Sequence, residues 1–215
     1  MSKFTRVAAG LALVTSAAVS SNAMAEVSYN IGYASEYHFR GIFQKTSSAS
    51  AGVDFEQSGF YAGAWTADVG DGLEVDGYFG YGIETDAGFS ASLGFTGYYY
   101  TGEFDDTYEE INVNLGYSIV SLEYSFGTYD GFGTKSDYDF LALTIAPENG
   151  LYATYGTFGD EADGSYLEVG YGTSVADFDV GVSFIFADKD LSDQVDSGGN
   201  PTGGESIVFT LGKSF

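Results

Sequence analysis

The sequence predicts an all-β fold, a transmembrane antiparallel up-and-down β-barrel of about twelve strands, on three observations. Apolar and polar residues alternate with period two along most of the chain after residue 26. Short connections between these segments alternate with longer, acidic ones. The chain also starts with a segment typical of an export signal and ends on an aromatic residue, Phe215.

The start of the chain has the parts of a secretory signal peptide. Two basic residues precede an apolar run over residues 7–19, and residues 23–25 supply the small side chains that signal peptidase requires. The run is too short for a membrane-spanning helix, which needs about 20 residues, so a retained anchor is the less favoured alternative. We therefore predict a cleaved signal peptide at 1–25 and one barrel domain at 26–215.

The composition excludes several classes of protein. The formal charge is −24, from 31 acidic and 7 basic residues, and nucleic acid is excluded as a partner because phosphate binding needs clustered Lys and Arg. Disorder is excluded because disordered chains are poor in aromatic residues, whereas this one holds 18 Tyr and 18 Phe. The sequence has no Cys, hence no disulfide and no thiolate metal site, and we predict no cofactor.

The alternation predicts the individual strands. In the segment Val27–Tyr33, large apolar side chains occupy the odd positions and small polar ones the even positions. Segments of this kind, each about ten residues long as a tilted membrane strand requires, are centred near residues 31, 52, 64, 78, 94, 113, 123, 142, 154, 169, 182 and 210. A soluble β-sandwich also alternates, so the pattern alone leaves both folds open. Over residues 137–146 the pattern does not indicate which face is apolar.

The connections favour the barrel. If the N-terminus starts in the periplasm, the even-numbered connections are periplasmic turns, and these are short: 56–59, 85–88, 117–118, 147–150 and 174–176. The outward connections are longer and rich in acidic residues and Gly: 101–107, 130–137, 159–164 and 187–204. This asymmetry is typical of an outer-membrane barrel with both termini on the periplasmic side. Both Pro residues fall in connections, as strand chemistry requires.

The last strand adds an independent indication. Phe215 shares a face with Ile207, Phe209 and Leu211, a pattern typical of the terminal aromatic signal that outer-membrane barrels present to their assembly machinery. We therefore expect the chain to lie in the cell outer membrane of a Gram-negative bacterium. Its expected partners are outer-membrane lipid, lipopolysaccharide and, through Phe215, the barrel assembly machinery.

Four motifs resemble the TorF family of porin-like outer-membrane barrels. They are residues 37–44 (YHFRGIFQ), 52–55 (GVDF), 58–65 (SGFYAGAW) and 74–81 (EVDGYFGY), and together they cover about a quarter of the mature chain. The sequence departs from the family after Gln44, where Lys-Thr-Ser-Ser replaces a common Ser and Pro-Ala pair. The resemblance implies a barrel and, less firmly, a pore.

Several charged residues are expected to line the barrel interior. In the first strand, continued alternation directs Glu36, His38 and Arg40 inward, and Tyr37 and Phe39 toward lipid. The complete predicted pore lining is Glu36, His38, Arg40, Asp54, Glu74, Asp76, Glu110, Glu123, Glu168 and Asp179.

This lining has two interpretations. Arg40 is the one basic side chain placed inside, and it either ties strands together through two or three carboxylates or leaves a surplus of acids that favours cations in a narrow pore. Inward Gly, Ser and Thr argue for open space, whereas Tyr78, Tyr98 and Tyr100 narrow the lumen. We predict passive diffusion of small cationic or neutral solutes.

Two other classes of function stay open. An outer-membrane hydrolase needs a base, for which His38 is the single His, but no nucleophile is identifiable and we predict no catalytic residue. A non-conducting binding or structural barrel is the other alternative. The acidic loop 188–196 offers oxygen ligands for Ca²⁺, but it lacks the spacing of an EF-hand, which favours a solvated loop and no metal site. Trp65 and the Tyr residues near strand ends are expected to anchor the membrane interface.

Overall fold

The computed structural model describes residues 25–160 and 162–215, which form a closed antiparallel barrel. The predicted fold is confirmed, and each of the twelve predicted strand centres lies within a strand. The strands are β1 (Glu26–Phe39), β2 (Ile42–Gln57), β3 (Phe60–Gly70), β4 (Gly72–Glu84), β5 (Phe89–Tyr100), β6 (Tyr108–Tyr117), β7 (Val120–Tyr129), β8 (Ser136–Ile145), β9 (Leu151–Asp160), β10 (Ser165–Val175), β11 (Phe178–Ala187) and β12 (Gly204–Ser214).

Each strand pairs with its neighbours along the chain, and β1 pairs with β12 to close the sheet. Closure removes the free edges that an open sheet would present. One 3₁₀ turn, Gly131–Gly133, lies between β7 and β8. Within the described ranges no helix has the length and apolar composition needed to span a membrane. The predicted signal peptide lies outside the described residues, and the periplasmic position of the termini stays a prediction.

The apolar side chains face outward. Phe79 on β4 is 53% exposed, whereas the preceding Tyr78 is 7% exposed, and the same alternation recurs around the barrel. The segment that the sequence left ambiguous follows it too, since Tyr138 and Phe140 are buried and Leu141 is exposed. An apolar exterior of this extent is unfavourable in water and suits the hydrocarbon of a bilayer.

The connections differ in length between the two ends of the barrel, with three exceptions. One is the β9–β10 connection, residues 161–164, which was predicted to be long but is no longer than the turns at the other end. The turns after β2, β4, β6, β8 and β10 are short, and the connections after β5, β7 and β11 are longer, as predicted. The β1–β2 and β3–β4 connections are tight turns although they lie at the long-loop end. Arg40 and Gly41 form the first of these, with φ values of 48° and 84°, which is typical of a two-residue hairpin.

The tip of the first hairpin leaves the wall of the barrel. β1 pairs with β12 only as far as Ala34, but its pairing with β2 continues to Phe39. β2 in turn pairs with β3 only from Ser50 onward, and Ser47, with φ 63°, interrupts the regular strand just before that point. Residues 35–49, called the inner hairpin below, therefore bend from the wall into the barrel interior.

Candidate functional site in the barrel lumen

The tip of the inner hairpin is bound to the opposite side of the barrel through Arg40. Its guanidinium donates to both carboxylate oxygens of Glu110 on β6, at 2.8 and 2.9 Å. It also donates to Glu123 Oε1 at 2.7 Å and to Ser125 Oγ at 3.1 Å, both on β7. The planar fork of arginine matches a carboxylate in this bidentate geometry, which makes the contact strong and directional. We call Arg40, Glu110 and Glu123 the arginine clamp.

Aromatic rings enclose the same guanidinium. Its central carbon lies 4.2 Å from the ring centroid of Phe140 and 5.1 Å from that of Phe39, within the range of cation–π attraction. Arg40 is only 6% exposed, so its charge is neutralised by side chains and not by solvent. The interpretation of Arg40 as a tie between strands agrees with this geometry, because two carboxylates hold it.

Glu110 is the centre of a wider hydrogen-bond network. Besides Arg40, its carboxylate accepts hydrogen bonds from the hydroxyls of Tyr98 and Tyr138, each at 2.8 Å, and from the Asn112 amide at 2.7 Å. The donors come from β5, β6 and β8 as well as from the inner hairpin. A buried carboxylate with this many donors is held in one position, and it holds the hairpin tip with it.

A second pair of carboxyl groups lies on β4. The Tyr37 hydroxyl donates to Glu74 Oε1 at 2.8 Å, and Asp76 follows Glu74 on the same face of the strand. Both side chains are buried. Glu74 Oε2 and both carboxylate oxygens of Asp76 have no hydrogen-bond donor among the described residues.

Three expectations about orientation are wrong. Tyr37, predicted to face lipid, is 2% exposed, and Phe39 packs against Tyr98 at 5.3 Å between ring centroids. The register between β1 and β2 shifts between Tyr37 and His38, and because the inner hairpin lies inside the barrel, both of its faces are interior. Trp65 is buried against Tyr37, at 5.9 Å between ring centroids, and is therefore no interface anchor.

The other predicted lining residues are distributed over the interior. Asp54 accepts hydrogen bonds from Asn30 and Tyr78, and Glu168 accepts one from Tyr152 at 2.6 Å. Asp179 lies near the β10–β11 turn, where it accepts a hydrogen bond from Ser174, and does not join the clusters above. The pore-lining role of the ten residues stays a prediction.

His38 and Glu36 form a separate pair beside the hairpin. His38 Nε2 lies 3.2 Å from Glu36 Oε2, and its ring packs edge-on against Phe43 at 5.5 Å. His38 Nδ1 has no partner among the described residues. This geometry assigns no nucleophile to His38, and the hydrolase alternative stays an untested prediction.

The sequence predicted only some of the interior tyrosines: Tyr78 and Tyr98, expected to narrow the lumen, are buried, but several others were not predicted. They fill the space between the carboxylates, and those buried are Tyr37, Tyr61, Tyr78, Tyr98, Tyr138, Tyr152 and Tyr166. The sequence carried one signal for them, because residues two apart on a strand point to the same face. Tyr78 lies two residues after the inward acid Asp76, and Tyr166 lies two residues before Glu168.

Two small cavities adjoin the arginine clamp. One, of about 20 Å³, lies between the inner hairpin and β10–β12 and is lined in part by His38 and Glu168. Another of about 20 Å³ lies on the other side of Arg40, against Tyr61 and Asn114. Such volumes hold about one water molecule each. These two spaces beside Arg40 are therefore small, and the width of the lumen as a whole stays a prediction.

The acidic loop between β11 and β12 uses its carboxylates to hold its own backbone. Burial opposes ionisation of Asp188, but hydrogen bonds from Ser165 and from the backbone at Asp190 and Leu191 keep the pKa of this carboxyl below its usual value. Hydrogen bonds from Asn200 and neighbouring amides likewise lower the pKa of Asp196. Within 25–160 and 162–215, no three His, Cys, Asp or Glu side chains come together as metal ligands.

Solved structures with a similar fold include a porin. The NanC porin aligns with a TM-score of 0.52 at 13% identity, over 87% of this chain and 98% of its own. OprD of Pseudomonas aeruginosa aligns with a TM-score of 0.43 at 12% identity, over 89% of this chain and 66% of its own. At this identity the likeness to NanC shows the barrel fold alone, and the looser alignment to OprD adds nothing to it.

Sequence comparison identifies a family. No curated protein matches the chain significantly, and the TorF resemblance is not confirmed by name. Residues 18–215 match the family described as "Bacterial protein of unknown function (Gcw_chp)". Since this match includes every residue that the structure describes, the chain belongs to the Gcw_chp family of bacterial proteins.

Proposed function

We propose that this protein is an outer-membrane porin-like channel through which small cationic or neutral solutes diffuse passively. The observation that carries the proposal is an acidic interior within a closed barrel whose exterior is apolar. The interior acids of the central region include Asp54, Glu74, Asp76, Glu110, Glu123 and Glu168, against the single guanidinium of Arg40. Their excess of negative charge attracts cations and repels anions.

The size of the barrel supports a narrow passage. About eight strands enclose a space that side chains fill, and sixteen to eighteen leave a wide aqueous channel. Twelve strands lie between these limits, and the inner hairpin occupies part of the interior. Solutes would therefore pass close to the carboxylates, where a low-dielectric wall strengthens the interaction between charges.

Planar-bilayer recording in a KCl gradient tests this proposal. We expect small unitary steps, with a reversal potential displaced toward the potassium equilibrium potential. Raising the ionic strength should weaken the preference, because the Debye length falls to about 3 Å at 1 M salt. Anion selectivity would overturn the acidic-lumen proposal, and silence of the wild type together with variants that release the clamp would overturn conduction.

A non-conducting binding or structural barrel is the second candidate. The observation that favours it is the completeness of the arginine clamp, in which Arg40 and Glu110 form a bidentate ion pair across the lumen. Replacing Arg40 distinguishes the two candidates. Arg40→Ala should increase the unitary conductance of a channel, whereas a structural barrel stays silent.

A further inference from the structure

Glu74 and Asp76 together present carboxylate oxygens that the protein leaves unsatisfied. Glu74 is 1% and Asp76 0% exposed. Tyr37 donates to one of their four oxygens, and no donor meets hydrogen-bond geometry at the other three among the described residues. The Tyr100 hydroxyl lies beside Glu74, and the two carboxyl groups lie close enough to share one proton. A buried carboxylate oxygen without a donor is costly, since water has been removed and nothing replaces it.

Negative charges around Glu74 and Asp76 increase the cost of burying these two carboxylates. Asp105 lies near Glu74, and Glu110 lies near Asp76, so further negative charge faces the pair from β6 and from the β5–β6 loop. The Arg and Lys side chains of the inner hairpin are engaged elsewhere, since Arg40 is bound by Glu110 and Glu123 and Lys45 pairs with Asp68. The site therefore calls for positive charge from outside the chain, or for a proton that the two acids share.

We propose that Glu74 and Asp76 bind one divalent cation of the Ca²⁺ class inside the barrel. The inference goes beyond conduction, because an ion binds here whether or not solutes pass through the lumen. Alternate residues on one face of a strand are about 7 Å apart along the backbone. Two carboxylates at that spacing can converge on one ion, whose ligand distances are about 2.3–2.6 Å.

The oxygen atoms available as ligands determine which kind of cation fits the site. All the donors are oxygens, with hydroxyls of Tyr37 and Tyr100 beside Glu74, and oxygen donors suit hard cations such as Ca²⁺ rather than zinc or copper. Two carboxylates balance a divalent charge. Mg²⁺ fits less well, because it needs regular octahedral geometry and retains its water ligands. With only two carboxylates, we expect a dissociation constant of about 10⁻⁴–10⁻³ M, as in extracellular calcium modules.

The single Trp of the chain provides a local probe of this site. Trp65 lies 5.9 Å from Tyr37 between ring centroids, and Tyr37 donates to Glu74. Tb³⁺, which replaces Ca²⁺ at oxygen sites, should therefore emit when tryptophan is selectively excited in the purified protein in detergent. We expect saturable emission that Ca²⁺ displaces. Trp65→Phe should abolish the emission while Ca²⁺ still raises the melting temperature.

Matched variants locate the ion. Asp76→Asn and Glu74→Gln keep the side-chain shapes and should each weaken Tb³⁺ binding by about tenfold or more. Asp196→Asn, in the acidic β11–β12 loop, should leave the tryptophan-excited emission unchanged. Equal emission from wild type and both β4 variants would overturn the site, as would absence of emission from the folded wild type, the result expected if the acids share a proton.

The test remains decisive if a β4 variant does not fold. In that case the wild type alone is heated with and without millimolar Ca²⁺, and a bound ion must raise its melting temperature. No shift would overturn the proposal. A barrel that binds Tb³⁺ but carries no current, either as wild type or as Arg40→Ala, supports the ion site and overturns the channel, so the two proposals fail separately.

Discussion

Arg40 is the residue on which the interior arrangement most depends. Its side chain crosses from the inner hairpin to β6 and β7, where it meets two carboxylates and two aromatic rings. A buried arginine with these contacts is well paired, but its carboxylate partners have no other cation in the described part of the chain if it is removed. Removing it leaves the buried Glu110 and the half-buried Glu123 as negative charges without a cation.

Arg40→Ala should lower the free energy of unfolding by about 3–5 kcal/mol, because one partner of a buried ion pair is lost. Arg40→Lys should recover part of this loss, since lysine keeps the charge but cannot donate to both oxygens in a fork. Urea unfolding in lipid vesicles, followed by Trp65 fluorescence, measures both effects.

Lys45→Ala is the matched control for this prediction. Lys45 pairs with Asp68 at the side of the inner hairpin, where both side chains are partly exposed, so its loss should cost at most about 1 kcal/mol. Equal losses from Arg40→Ala and Lys45→Ala would show that the clamp does not stabilise the fold.

At the scale of elements, the inner hairpin depends on the close approach of its turn to β10. A Cβ added to Gly41 would lie 2.6 Å from Cγ of Tyr166, and Gly41 has φ +84°. Gly88, in the β4–β5 turn, has a similar φ of +80° but nothing within 4 Å of an added Cβ. Comparing an alanine substitution at each glycine therefore distinguishes the effect of backbone strain from that of a steric clash.

Gly41→Ala should destabilise the protein by about 1–3 kcal/mol more than Gly88→Ala, because only the first forces a packed contact apart. Thermal unfolding of the two variants measures the difference. Identical melting temperatures for the two single variants would contradict a packed hairpin tip.

The β11–β12 loop should respond to acid through Asp188. Its pKa in the folded protein lies below the ordinary value of about 3.9, so its stabilising effect is present above that value and is lost as the pH falls through the folded pKa. Amide hydrogen exchange at Ser165, corrected for the intrinsic pH dependence, should show protection lost in this acidic range. Asp188→Asn should remove the pH dependence, and unchanged wild-type protection at low pH would contradict the role of Asp188.

At the scale of the whole molecule, the apolar exterior predicts which substitutions the membrane rejects. Phe79 lies exposed on β4 beside Phe95, and Phe132 lies exposed in the 3₁₀ turn between β7 and β8. Phe79→Arg should cost about 2–4 kcal/mol in a bilayer, the cost of an arginine at its midplane, whereas Phe132→Arg should cost about 0–1 kcal/mol. Urea unfolding in vesicles compares them. Equal costs would contradict a lipid-facing β4.

Period-two alternation was sufficient to predict the wall of the barrel. In a closed sheet, every regular strand has one lipid face and one interior face, so patterns such as Val27–Tyr33 gave the strands, their number and their inward acids. Arg40 was assigned to the interior for the same reason, and its two carboxylate partners followed from the shortage of other cations.

The alternation of apolar and polar residues did not predict the inner hairpin. Alternation assigns a residue to one of two faces, but it does not show whether a strand stays in the wall. Tyr37 and Phe39 were misplaced because a register shift interrupts the alternation at Tyr37 and both hairpin faces are interior. Trp65 was misplaced for a different reason: its ring type suggested an interface, but it lies on the same face of β3 as Tyr61, and both are buried.

The departure of the inner hairpin has a consequence for the seam between the chain ends. β12 is joined to β1 only from Phe215, hydrogen-bonded to Tyr29, up to Thr210 opposite Ala34. Above that point one further bond, from Phe209 N to Ser35 Oγ at 2.8 Å, reaches across. The pairing between the first and last strands is thus the shortest in the barrel. Separating β1 from β12 breaks fewer backbone hydrogen bonds than separating any other pair of neighbouring strands. Unfolding by heat or force should therefore begin between these two strands.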